Sequence, residues 1–297
     1  MRWAWLPLAQ MPELPEVQTV VAGLGQRLPS RSIVSVELLR PDMVRYPGKN
    51  QFIAGLKGLV IAYVGRYGKY IEIAGREQRV MSAAPSRPQA SLFVHLGMSG
   101  KLLWAVPKGP AALEKHTHLK VTLDDGATLS FVDPRRFGML ALGSREELLE
   151  GAVLPRLGPD PVVSPPSAGE LWADLLQRRR PVKLYLLDQT RIAGIGNIYA
   201  DEICFDARIS PFRLCATIRR KECVRLAAAI PRVILAAVAA GGTTFRDYRD
   251  AVGNRGQFGQ QLAVYGRAGE PCVDCGLPLS FGRLGGRGTT FCGKCQR

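Results

Sequence analysis

The chain runs to 297 residues with 46% apolar side chains, which excludes a disordered tail and suits two domains around ordinary cores. Its formal net charge of +15 points to a polyanionic partner. No apolar run approaches the roughly 18 residues of a bilayer-spanning helix, and the basic residues are not gathered on one amphipathic helix, so nucleic acid is favoured over a membrane surface.

Residues 1–11 open the chain, and Met11 follows Met1 as a second methionine. The stretch is too short for a signal peptide with its charged, apolar and cleavage regions. It is expected to be an extension absent from the mature protein, with translation starting at Met11. Val17, Val20, Val21, Leu24 and Leu28 then fall at helical spacing, and Pro15 and Glu16 suit a first turn. From about residue 31 to 142 the period changes to two. Ile33, Val36 and Leu38, then residues 70–73, 92–94, 119–123 and 127–132, predict short strands, with Asp124-Asp125-Gly126 as a hairpin turn. Strands at this spacing predict a β-sandwich. Residues 76–91 lack periodicity and read as a surface loop. Ser144/Glu147 and Ser167/Glu170 each have capping-box spacing, and the Pro-rich stretch 155–166 between them reads as a linker. Residues 168–250 read as mostly helical. Pro231 is expected to kink or split a long helix over 217–240, which Gly241-Gly242 ends. The glycine-rich stretch 251–260 reads as mobile.

The C-terminus carries Cys272-x2-Cys275, sixteen residues, then Cys292-x2-Cys295. Each pair turns two thiolates toward one point, and four cysteines leave no open coordination position, so the reading is one structural zinc ion. The tail from residue 262 is too short for a core of its own, and the metal would supply its folding energy. Cys204, Cys215 and Cys223 stand in apolar contexts and are expected in the core. An odd count of seven cysteines argues against a disulfide framework. Arg283 and Arg287 lie among glycines between the two pairs, placed to reach backbone phosphates.

A series of landmarks spans the chain in order. Met11-Pro12-Glu13-Leu14-Pro15-Glu16-Val17 comes first, then His95-Leu96-Gly97-Met98-Ser99-Gly100 and Glu114-Lys115-His116-Thr117-His118. Asp133-Pro134-Arg135-Arg136-Phe137-Gly138, Gly194-Ile195-Gly196-Asn197-Ile198-Tyr199-Ala200, Gly241-Gly242-Thr243-Thr244 and Val264-Tyr265-Gly266-Arg267 follow, and the cysteine tetrad closes it. The ordered set resembles the formamidopyrimidine-DNA glycosylases, which excise oxidised purines. The resemblance implies an α+β multidomain fold: an N-terminal β-sandwich flanked by helices at 12–145, a helix–two-turns–helix DNA-binding domain at 146–260 and a zinc-ribbon finger at 261–297. It implies a monomeric base-excision-repair enzyme of the bacterial cytoplasm and nucleoid. Such an enzyme removes 8-oxoguanine and formamidopyrimidines from double-stranded DNA and cleaves abasic sites by β,δ-elimination.

The resemblance also assigns roles. Pro12 matches the nucleophile: its secondary amine would attack the sugar C1′ and form a Schiff base whose positive charge eases elimination. Glu13 matches the catalytic acid at the sugar ring oxygen, a task that needs a carboxyl with a raised pKa. Lys69 matches a lysine that contacts phosphate beside the lesion and supports base removal. Glu16 matches a residue that approaches the damaged base. The target base must leave the duplex, and Met98, Arg135 and Phe137 match the trio that fills the void. Asn197, Lys183 and Arg287 match phosphate contacts, and residues 251–260 match a cap over the flipped base. His116 falls among the DNA-contact motifs. None of the histidines His95, His116 and His118 is assigned catalysis, and hydrogen bonding within the structure is expected of them.

Two departures stand out: Gln18 replaces the family's usual glutamate, and the loop 76–91 is longer than usual. While residues 1–11 remain attached, the Pro12 nitrogen is a tertiary amide and cannot attack. Two rival readings stand beside this one, and Leu14 and the Met98, Arg135 and Phe137 trio favour the purine enzyme over the first. One is an endonuclease VIII-type glycosylase for oxidised pyrimidines; the other is a non-catalytic damaged-DNA-binding paralogue with Pro12 blocked.

Overall fold

The computed structural model of the chain describes residues 11–77, 90–106, 114–244 and 248–297. The expectations for residues 1–10 and for the loop over 78–89 lie outside the described residues. Contacts group the chain into two compact units. One holds the residues up to Leu14 with Leu157–Ala240 and Gln257–Arg297; the other holds Pro15–Arg156 and Gly241–Gly256. The expected boundaries at 145/146 and 260/261 are cuts along the chain, whereas the contacts put the finger with the helices and residues 241–256 with the strands.

The strand-rich unit begins in α1 (Leu14–Gly25), whose buried face is the stripe Val17, Val20, Val21 and Leu24 read from the spacing. The strands are β1 (Ile33–Leu38), β2 (Val44–Tyr46), β3 (Leu59–Tyr67), β4 (Tyr70–Glu77), β5 (Ala90–His95), β6 (Lys101–Ala105), β7 (Thr117–Leu123), β8 (Thr128–Val132) and β9 (Met139–Gly143), with α2 (Lys49–Leu56) between β2 and β3. They form a four-stranded sheet of order β1-β7-β8-β6 and a five-stranded sheet of order β2-β9-β5-β4-β3. Ile33, Leu102, Leu119, Val121, Leu129 and Phe131 from the first sheet share one core with Ile61, Ile71, Ile73, Leu92, Val94 and Leu140 from the second. The sandwich expectation is met. The far face of the second sheet is covered by α3 (Arg145–Glu150), where Phe93 and Ala141 meet Leu148 and Leu154. Asp124–Gly126 turns β7 into β8 as expected, closed by the Leu123 N–H donating to the Ala127 carbonyl at 2.8 Å.

The helical unit comprises α4 (Ala168–Leu176), α5 (Val182–Leu186), α6 (Asn197–Asp206) and α7 (Arg220–Ala239), followed by the hairpin β10 (Ser280–Leu284) and β11 (Arg287–Phe291). Both capping boxes form. The Ser144 and Ser167 hydroxyls accept from the Glu147 and Glu170 N–H groups, and the two glutamates accept in return. The helix containing Pro231 is not split: α7 runs unbroken for 20 residues. Ile230, Val233, Ile234 and Ala237 are buried in the same core as Leu226, so packing on both sides of the proline outweighs its lost hydrogen bond. Cys204, Cys215 and Cys223 are buried, as expected.

Candidate functional site

In the helical unit, the site is built on the N-terminus of α6. The first N–H groups of any helix lack partners within it and favour an anion. Here Glu13 supplies one. Its carboxylate accepts from the N–H groups of Gly196 at 2.7 Å, Ile198 at 2.9 Å and Tyr199 at 3.5 Å, and the residue is 3% exposed. All three of these partners are backbone N–H donors, and together they fix the position of the Glu13 carboxyl. A Cβ on Gly196 would collide with the Glu13 carboxyl, which is why glycine stands there. The Leu14 N–H donates to the Gly194 carbonyl at 3.1 Å, tying the Pro12-Glu13 segment to the same turn. Pro12 is buried and Met11 exposed. The turn is fastened from within by Gln189, which accepts from the Gly194 N–H at 2.8 Å and donates to the carbonyls of Leu187 at 3.0 Å and Ile195 at 2.7 Å.

The β10–β11 hairpin meets the same helix. Asn197 Nδ2 donates to the Gly288 carbonyl at 3.2 Å and to the Tyr265 hydroxyl at 3.4 Å, while Arg287 is exposed at the hairpin turn. Asn197 and Arg287 are thus brought together through Gly288. Lys183 requires a correction. It was expected at a phosphate, yet it is fully buried. Its ammonium pairs with Asp201 at 2.7 Å and donates to the Gly288 carbonyl at 2.9 Å and Thr289 Oγ1 at 2.8 Å. These three partners match the three ammonium hydrogens, leaving none for a phosphate. Lys183 supports the hairpin that carries Arg287.

The four terminal cysteines converge. Their Sγ atoms all lie within 4.8 Å of one another, with Cys275 and Cys292 at 3.5 Å and Cys272 and Cys295 at 4.0 Å. Sulfurs held about 2.3 Å from one tetrahedral ion stand about 3.8 Å apart, so the spacing fits a metal. Burial, then hydrogen bonds with Cys275, Cys292 and Cys272, push the Cys295 thiol up to about 12, a crowding that a central cation would reverse. Neighbouring carboxylates of α6 tie the finger down. Asp201 accepts from the Thr290 N–H, and Glu202 accepts from the N–H groups of Ala263, Val264 and Tyr265 at 2.8–2.9 Å.

In the strand-rich unit, the expected residues gather at one end of the five-stranded sheet. His95 is in register with Tyr70 on one side and Met139 on the other. That register places the β3–β4 turn with Lys69, the turn 96–100 with Met98 and the loop 133–138 with Arg135 and Phe137 side by side. Burial, reinforced by the Lys69 ammonium, pushes His95 down to about 4, so its ring is neutral at pH 7 and its Nδ1 accepts from the Gly97 N–H at 3.1 Å. Met98 is half-buried. Phe137 is 56% exposed, and the Arg135 guanidinium lies 5.0 Å from the centre of its ring. His116 is exposed at φ 69°, and its carbonyl accepts from the Asp133 N–H at 3.1 Å.

Glu16 is 1% exposed and accepts from the Thr243 N–H at 2.6 Å, while its carbonyl accepts from the Tyr248 hydroxyl at 3.1 Å. It therefore anchors the segment that leads into residues 251–256. That stretch, read as mobile, is a hydrogen-bonded turn: Asp250 accepts from the N–H groups of Val252 and Asn254, and the Gly256 N–H donates to Thr244 Oγ1. Gln18 accepts from Arg66 Nε at 2.9 Å. The sequence reading missed Gln189, Asp201, Glu202 and the buried pair Ser99–Asp133. Ser99 and Asp133 both lay in quoted motifs, but nothing in the sequence pairs one with the other.

The model of the formamidopyrimidine-DNA glycosylase N-terminal domain matches residues 11–140, and that of the formamidopyrimidine-DNA glycosylase H2TH domain matches residues 157–249. The formamidopyrimidine-DNA glycosylase of Desulfitobacterium hafniense is 41% identical over 287 residues, covering 96% of this chain and 100% of that protein. The crystal structure of the MutM (Fpg) protein from Thermus thermophilus superposes with a TM-score of 0.81 at 37% identity, over 96% of this chain and 98% of that one. A Lactococcus lactis Fpg mutant in complex with Fapy-dG containing DNA gives 0.84 at 32% identity, over 96% and 100%.

Proposed function

The chain belongs to the formamidopyrimidine-DNA glycosylase family, and from that premise we propose that it excises oxidised purines from duplex DNA and cleaves the resulting abasic site. The reading rests on one observation above others: Glu13, beside Pro12, is fixed by the N–H groups that open α6. The Pro12 amine attacks C1′, the glycosidic bond breaks, and the base leaves with the bond's electron pair and a proton. Proton transfer to the ring oxygen, with Glu13 as its acid, opens the sugar to an iminium ion. That cation draws electrons from the chain and permits β- and then δ-elimination of the two phosphates. An α-amino group titrates near ~8, so part of it is neutral and nucleophilic at pH 7.

The amine must be free for this. The family match begins at residue 11, which supports translation from Met11 followed by removal of that methionine. Met98, Arg135 and Phe137 handle the vacated stack, Lys69 the phosphate beside the lesion, and Asn197 and Arg287 the backbone. Zinc suits the closed four-thiolate set and would hold the finger without touching the reaction. Oxidised purines are favoured over pyrimidines because a Lactococcus lactis relative is described bound to Fapy-dG containing DNA.

Borohydride reduction should trap a covalent adduct between the Met11-initiated protein and an 8-oxoguanine duplex. Pro12→Gly should abolish strand cleavage; full lyase activity in that variant would overturn the mechanism. Faster excision of thymine glycol than of 8-oxoguanine from matched duplexes would reassign the substrate.

A further inference from the structure

The void-filling trio comes from two separate turns. Met98 lies in the turn after β5, and Arg135 and Phe137 lie in the loop before β9. A wedge assembled from two turns works only if the turns keep their spacing while a base pair is forced open. The backbones are already pressed together: a Cβ on Gly97, at φ 61°, would lie 2.5 Å from the Phe137 carbonyl carbon. Contact alone resists compression but not separation or sliding. Directional bonds are needed for that, and one side chain provides them.

Asp133 is fully buried. Its Oδ1 accepts from Ser99 Oγ at 2.5 Å and from the Arg135 N–H at 3.2 Å, and its Oδ2 accepts from the Gly138 N–H at 2.8 Å. Ser99 Oγ accepts from the same Arg135 N–H at 3.2 Å, closing a small ring of bonds between the two turns. The Asp133 carbonyl accepts from His118 Nε2 at 2.7 Å, which fixes the hub to β7, the neighbour of β8 in the four-stranded sheet. A carboxylate two residues from an arginine would ordinarily draw its guanidinium. Here the carboxylate is occupied by Ser99 and two backbone N–H groups, and the guanidinium lies over the Phe137 ring instead.

We propose that Asp133, acting with Ser99, is the positioning residue that locks the Met98 turn and the Arg135–Phe137 loop into one wedge. It serves base extrusion without touching DNA. The inference rests on the functional reading above. Asp133→Asn keeps the shape but turns one acceptor into a donor within the ring of bonds. Ser99→Ala removes the bridge, and Ser99→Thr keeps a hydroxyl.

Two readouts separate extrusion from chemistry. The first is the fluorescence rise of 2-aminopurine beside 8-oxoguanine in a duplex, with single-turnover excision measured on the same duplex. The second is borohydride trapping on a single-stranded abasic oligonucleotide, which has no stack to open. Asp133→Asn and Ser99→Ala should lower the fluorescence amplitude and slow duplex excision by about 10-fold or more, with single-stranded trapping unchanged. Ser99→Thr should restore the duplex values. Wild-type amplitude and duplex rate in both defective variants overturn the proposal, and so does a parallel loss of single-stranded trapping. If Asp133→Asn does not fold, the Ser99 pair decides. If the wild-type protein traps nothing, the functional reading fails, and the fluorescence comparison still judges the wedge.

Discussion

Glu222 shows how a single buried carboxylate supports the helical unit. Burial alone would raise its pKa, but Arg213 and Arg219 outweigh it and hold Glu222 at about 2, below its ordinary 4.5. Arg213 donates to both carboxylate oxygens, at 2.7 and 2.8 Å. Because the folded value lies below the unfolded one, this stabilisation is complete above about pH 4.5 and is lost as pH falls toward 2. Glu222→Gln should therefore lower stability by on the order of 2 kcal/mol at pH 7, with the gap closing in acid. Urea unfolding midpoints of both proteins across pH check this; a gap that persists at pH 2 would contradict it. Lys183 and Asp201 are a harder case, since removing one member of a buried pair typically costs about 3–5 kcal/mol. Neither role was legible in the sequence. The family resemblance made Lys183 a phosphate contact, and its partners, Asp201 and the distant Thr289, are set only by the fold. Glu13 and the α6 turn, or Asp133 and Ser99, are likewise joined only by the fold.

Elements were more legible where the signal is local. Two serine–glutamate capping boxes, the Asp124–Gly126 turn and the α1 stripe depend on neighbours within a few residues, and all formed. The strands β2, β3, β6 and β9 were not singled out. β2 spans only Val44–Tyr46, and β3 and β9 are apolar runs without clean alternation, which periodicity cannot assign. The cysteine tetrad was legible because ligand spacing is itself a geometric statement. A metal held by these four thiolates would matter to the finger first. Chelation should release one zinc per chain and four thiols titratable with a maleimide, and abolish tight duplex binding. Single-stranded abasic trapping should survive, because Glu13, next to Pro12, is held by the N–H groups that open α6 and not by the finger. Simultaneous loss of both activities would mean that the metal supports the helical core as well.

At the scale of the molecule, a net charge of +15 makes any DNA affinity steeply dependent on salt. Arg287→Ala should weaken binding across sequences and lower the slope of log affinity against log salt by about 1; an unchanged slope removes Arg287 from the phosphate contacts. That arginine is not carried by a detachable module. Asp201 and Glu202, consecutive on α6, hold the Thr290 N–H and three successive N–H groups over Ala263–Tyr265, and the same helix begins with the groups that hold Glu13. A finger exchanged between relatives without its α6 would arrive with four amides orphaned in the interior. A chimera that joins this finger to a foreign helix keeps those amides paired only where that helix carries carboxylates at the positions of Asp201 and Glu202.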